Sequence, residues 1–136
     1  MGIIEKMRLD GKAIYVTGGA SGIGKSVATA FAEAGADVAI VDINLEGAEK
    51  VAKEIAQATG SKTIAVQCDV TNKDDVEAMV AKVADTYGKL DACFNNAGIC
   101  LNVPAEEMTF EQWKKVIDIN LTGVFLCATA AGRVML

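Results

Sequence analysis

Four short apolar runs punctuate the chain: Ala13–Thr17, Asp37–Val41, Lys62–Gln67 and Leu90–Phe94. Each is bounded by Gly, Asp or Asn and is short enough for a strand. The segments between them change period. Ser21 to Ala34 places Ile23, Val27, Ala30 and Phe31 on one helical face. Asn44 to Ala58 does the same with Leu45, Ala48, Val51, Ala52 and Ile55, and Asn72 to Tyr87 with Val76, Met79, Val80 and Val83. Recurrence at i, i+3, i+4 and i+7 predicts helices that bury one stripe. Gly35, Gly60 and Gly88 follow the last periodic residues, where a left-handed cap is favoured. Asp74 and Asp75 stand in the first turn of the third helix, at its positive dipole end. A fourth helix is predicted from near Thr109, where Thr109 and Gln112 have the spacing of a capping box, and it runs toward Leu136.

Strand and helix therefore alternate four times. That order predicts a three-layer α/β, doubly wound parallel sheet with helices on both faces. The strands are apolar throughout, as burial on two faces requires. No repeat, linker or low-complexity stretch divides residues 1–136, so one domain is expected.

Composition narrows the function classes. The chain is 51% hydrophobic with a net charge of −5. An acidic protein is repelled by nucleic acid and by anionic membrane surfaces. The most apolar stretch, Val116 to Ala131, is interrupted by Asp118, Asn120 and Thr122, so no bilayer-spanning segment is expected. Met1 to Lys12 has no apolar run for a secretory signal, and Lys6 occupies the position a myristoylation signal reserves for Ser or Thr. Cys68, Cys93, Cys100 and Cys127 form no C-x-x-C pair, and the chain has no histidine. Free thiols in a reducing cytoplasm and no metal are expected. Ser-His and Cys-His mechanisms are excluded.

The candidate chemistry lies where strands end. The first strand runs into Thr17-Gly18-Gly19-Ala20-Ser21-Gly22-Ile23-Gly24, and a helix follows. A pyrophosphate needs free backbone N–H groups at a helix N-terminus and no side chain where the backbone touches it. Gly18, Ser21, Gly22, Ile23 and Gly24 meet those needs. The second strand ends at Asp42, whose carboxylate can accept hydrogen bonds from an adenosine ribose and would repel a 2′-phosphate. The alternative is that Asp42 merely ends the strand or caps the next helix.

The T-G-x-x-x-G-x-G spacing resembles the cofactor loop of the short-chain dehydrogenase/reductase family, which has a Rossmann fold. The resemblance implies a strand order of 3-2-1-4, with Ser21 and the Ile23 backbone at the diphosphate. Cys68-Asp69-Val70-Thr71 resembles the family's D-V motif, implying that Asp69 and Val70 hold the adenine, although a helix-capping role competes. Asn95-Asn96-Ala97-Gly98 matches the N-N-A-G signature, placing Asn96, Ala97 and Gly98 beside the nicotinamide ribose. With Asp42 present and no basic residue at Ile43 or Ser21, NAD is implied over NADP.

Trp113, Ile117, Asn120 and Val124 fall on one helical face, so Asn120 is expected among apolar neighbours. It is either a structural asparagine bonded to backbone or, by resemblance to the family's N-x-x-G segment, a catalytic residue holding a water that relays protons. The family's Tyr-x-x-x-Lys is not found: Gly19 and Asp91 stand four residues after Tyr15 and Tyr87. The serines, Ser21, Ser26 and Ser61, all precede the fourth helix. The resemblance thus covers only the N-terminal part of a family member, and the chain is expected to be truncated after the fourth strand and its helix. It implies an NAD-dependent oxidoreductase acting on a secondary alcohol or ketone, of polyol, sugar or 3-oxoacyl type. It also implies a homo-oligomer, dimer or tetramer. These residues alone are expected to be inactive and poorly soluble. The alternatives are a dinucleotide-binding module or pseudoenzyme without turnover, and a methyltransferase, against which the loop spacing argues.

Overall fold

The computed structural model describes residues 1–136. A one-turn helix α1 (Ile3–Lys6) precedes β1 (Ala13–Thr17), α2 (Gly22–Glu33), β2 (Asp37–Asp42) and α3 (Leu45–Thr59). Then come β3 (Thr63–Gln67), α4 (Lys73–Tyr87) and β4 (Ala92–Asn95). A 3₁₀ turn at Ala105–Glu107 leads to a continuous helix, α5 (Phe110–Met135). The strands are all parallel in the order β3-β2-β1-β4, as expected. The order reverses at β1, so the loops after β1 and β4 diverge to opposite faces. That divergence opens a crevice beyond the carboxyl ends of the strands.

Alternation along β1 and β2 divides the core. Ile14, Val16, Val38 and Ile40 face α2 and α3, packing on Ala28, Ala32, Val51 and Ile55. Tyr15, Ala39 and Val41 face the other way, onto Val76, Met79, Val80 and Val83 of α4 and Cys127, Ala130 and Ala131 of α5. These are the three layers, and both sheet faces are buried.

The caps explain where the helices start and stop. Asn44 accepts from the Gly47 amide and Asn72 from the Asp75 amide, starting α3 and α4. The Thr109–Gln112 capping box forms in both directions. Gly60 and Gly88 end α3 and α4 in the left-handed conformation that L side chains avoid. Two strands start later than the apolar runs suggest. Lys62 N–H donates to the Asp37 side chain rather than to a ladder carbonyl. Asp91 is hooked to Ala13, accepting from its amide with the carboxylate and donating to its carbonyl. The turn α1 was not expected; the amide of Gly2, just before it, donates to the Glu5 carboxylate.

The fourth helix departs most from expectation. Asp118–Thr122 winds as a π turn, with Gly123 N–H donating to Asp118 O, five residues back. The inserted residue shifts the helical phase. The buried stripe is Gly123, Cys127, Ala130 and Ala131, whereas Trp113 is 57% exposed and Asn120 also lies at the surface. The expected apolar face Trp113–Ile117–Asn120–Val124 is thus not the packed one. Uninterrupted across the π turn, Phe110–Met135 is also long and apolar enough to cross a bilayer by length and mean hydropathy. This corrects the expectation that no segment would be. In this fold it lies against the sheet through its small residues.

Two core thiols make alkaline sensitivity a prediction. Burial, with the neighbouring Cys127, Asp75 and Asp69, pushes Cys68 from its ordinary 9.0 up to about 12. Burial and Cys93 push Cys127 up to about 11. Because the folded pKa values are raised, the stabilisation is complete below the unfolded thiol pKa and is lost as pH rises through the folded ones. Urea midpoints should therefore fall steadily between about pH 9 and about pH 11. A midpoint constant over that range would contradict the burial of these thiols.

Candidate cofactor site

A cleft of about 610 Å³ opens at the carboxyl ends of the strands. That is within the usual size for a small-molecule site. Every strand contributes to it. After β1 come Gly18, Ser21, Gly22 and Ile23; at the end of β2, Asp42; after β3, Asp69 and Val70; after β4, Asn96, Ala97 and Gly98. Asn120 enters from α5. The structure thus brings together all the expected site residues but one. Gly24 does not line the cleft. It lies behind the loop, where a Cβ would sit 2.1 Å from Gly18 O and 2.7 Å from Asn96 Nδ2. Its role is the close crossing of α2 over the loop.

The residue that ties the cleft together is Thr17, the first residue of the glycine motif, whose side chain has no local signal for this role. It is 1% exposed at the end of β1. Its Oγ1 accepts from the amides of Asn96 and Ala97, at 2.9 and 3.0 Å, and its carbonyl accepts from Asn96 Nδ2 at 3.2 Å. The glycine loop and the N-N-A-G loop are therefore joined by three hydrogen bonds to one residue. Gly18 permits this approach: a Cβ there would meet Asn96 Nδ2 at 3.0 Å and Ala97 Cα at 3.1 Å.

The first turn of α2 has amides with no partner inside the helix. Ser21 precedes it in extended conformation, and its hydroxyl makes no capping bond. Asp42 does two things. Its Oδ2 accepts from the Ala20 amide of the glycine loop and its Oδ1 from the Asn44 amide. It braces the loop and is not the cap of α3, a role taken by Asn44. Asp69 likewise accepts from the Thr71 amide and hydroxyl, while Asn72 caps α4. The two asparagines after β4 part company: Asn96 bridges to Thr17, whereas Asn95 Oδ1 accepts from the buried Tyr15 hydroxyl at 2.7 Å.

Asn120 is not buried. Its Oδ1 accepts from Ile99 N–H and its Nδ2 donates to Ile99 O, both at 2.8 Å. Gly98 leaves room, since a Cβ there would lie 3.2 Å from Asn120 Oδ1. One N–H and one lone pair of the amide remain free at the cleft. The lining also includes Val41, Ile43, Cys68, Ile99, Cys100 and Ile119. All are sequence neighbours of recognised motifs, and Ile119 lies within the π turn.

The model of the family described as short chain dehydrogenase matches residues 12–136. D-threitol dehydrogenase from Mycolicibacterium smegmatis is 43% identical over 129 residues, covering 95% of this chain and 49% of that protein. NAD-dependent glycerol dehydrogenase from Listeria innocua is 40% identical, covering 99% and 52%. A crystal structure of a short-chain type dehydrogenase/reductase from Mycobacterium marinum superposes with a TM-score of 0.94 at 40% identity, covering 98% of this chain and 54% of that one. The chain spans about half the length of the curated relatives it matches.

Thr17→Val should leave two part-buried amides without an acceptor, at a cost of about 1–3 kcal/mol each. Thr17→Ser, which keeps the oxygen, should stay much closer to the parent in urea denaturation. Equal losses in the two variants would remove the hydroxyl from the explanation.

Proposed function

The chain belongs to the short-chain dehydrogenase family, and from that we propose that residues 1–136 form the NAD-binding part of an oxidoreductase acting on a secondary alcohol or ketone. The observation carrying the cofactor assignment is Asp42, held at the tip of β2 by two amides and lining the cleft without a basic neighbour. A fixed carboxylate there suits a ribose diol and opposes a 2′-phosphate. The amides and glycines of the first α2 turn suit a diphosphate, because its negative charge meets free N–H donors and the dipole end of a helix. Asp69 and Val70 would border the adenine, and Asn96, Ala97 and Gly98 the nicotinamide ribose.

When bound, the nicotinamide would supply hydride transfer. The chain's own residues bind and orient. Thr17 and Asn96 fix the spacing of two loops, and Asp42 selects the ribose. Asn120 holds Ile99 and, with its free N–H and lone pair, is suited to hold a water for proton relay. The substrate reading is a small polyol, supported by the names of the threitol and glycerol dehydrogenases among the relatives. A homo-oligomer is supported by Phe110 and Phe125, which are 71% and 62% exposed on α5.

A second reading, binding without turnover by these residues alone, is favoured by the state of the two tyrosines. Tyr15 is fully buried and bonded to Asn95, and the Tyr87 hydroxyl donates to Lys62 O. Burial raises both phenols above their ordinary pKa. Neither lines the cleft as an acid or base.

Calorimetry should show NADH binding more tightly than NADPH, and Asp42→Asn should weaken NADH about tenfold or more while narrowing the preference. Equal affinity for the two cofactors in the parent chain would overturn the assignment to NAD.

A further inference from the structure

Gly123 closes the π turn and is buried against Val70, on the loop after β3. A Cβ on Gly123 would lie 2.7 Å from Val70 Cγ2, 3.2 Å from Val70 Cβ and 3.4 Å from Val70 O. The first separation is closer than carbon atoms pack, so a side chain at 123 must displace Val70 or the helix. Val70 has little freedom to yield. Its β-branched side chain is stiff at χ1, and it is 8% exposed within the cluster that includes Val76, Met79 and Cys127. It also lines the cleft beside Asp69. Any displacement of Val70 therefore alters a wall of the cleft. Not every glycine of this helix is held so closely: around Gly132 the same construction meets nothing within 4 Å.

We infer that Gly123 is a positioning residue for the cofactor, seating Val70 so that the adenosine end of the cleft keeps its width. The inference rests on the reading of this cleft as a dinucleotide site. Three residues earlier, Asn120 holds Ile99 on the loop after β4. One helical segment thus fixes a wall on each side, and Gly123 acts on the adenosine side.

The test titrates NADH and AMP into the parent chain, Gly123→Ala, Val70→Ala, Gly123→Ala/Val70→Ala and Gly132→Ala. Gly123→Ala should weaken NADH and AMP by the same factor, about tenfold. The double variant should match Val70→Ala, since the overlapping methyl is gone. Gly132→Ala should bind like the parent. A purely structural role would lower the melting temperature without this shared factor and without the match. Unchanged AMP affinity in Gly123→Ala overturns the inference, as does a loss confined to NADH. If Gly123→Ala folds poorly, the comparison of the double variant with Val70→Ala decides: equal AMP affinity supports the inference, and weaker binding by the double variant overturns it. A parent chain that binds neither ligand overturns the dinucleotide reading itself, and the inference with it.

Discussion

The cleft depends on how closely two backbone segments meet at the end of β1. Thr17 presents one hydroxyl oxygen to two amides of the loop after β4, and its carbonyl takes a third bond from Asn96. Buried amides are costly to leave unpaired, so this residue sets the distance between the loops as firmly as a ladder sets a strand. Gly18 and Gly24 are required by the same approach, since a Cβ on either would collide with Asn96 or with the loop carbonyl. The glycine motif is therefore as much about protein packing as about leaving space for a ligand.

The polar groups around the cleft mostly serve two purposes. Asp42 braces the glycine loop through Ala20 while lining the site. Asp69 folds its own turn through Thr71, and Asn120 holds Ile99. Each side chain is restrained before any ligand arrives, which lowers the ordering cost of binding. The alternatives posed by the sequence, structural residue or ligand contact, are thus false opposites at several positions. For Asp42 and Asp69, local backbone bonds hold a carboxylate where it borders the cleft.

The helix α5 connects the sheet to both walls of the cleft. Its small residues Gly123, Cys127, Ala130 and Ala131 let it lie close to β4 and α4, and its π turn presents Asn120 and Gly123 toward different loops. A regular helix would carry Asn120 round with the stripe of Trp113 and Ile117. One extra residue inserted in this turn changes which of the side chains beyond it face the protein.

Strand number, direction and the helix caps were legible in the residues because they follow from local periodicity and from short-range side-chain bonds, whereas the strand order came from the family resemblance. Asn44, Asn72, the Thr109–Gln112 box and the terminal glycines act within a few residues of where they stand. The glycine loop was legible for the same reason: its residues are contiguous. Strand starts at Lys62 and Leu90 were misplaced because the Asp37 side chain takes the Lys62 amide, and the Asp91 side chain takes the Ala13 amide of the neighbouring strand. Thr17 as a pin, the exposure of Asn120 and the contact of Gly123 with Val70 were settled only by tertiary structure. Each joins residues tens of positions apart, and the phase of α5 was set by a π turn that no pattern of apolar residues announces. Sequence alone determined the elements and the strand-end chemistry, since both are local. Tertiary structure decided spacing and orientation, since these come from backbone segments that meet only after the sheet has assembled.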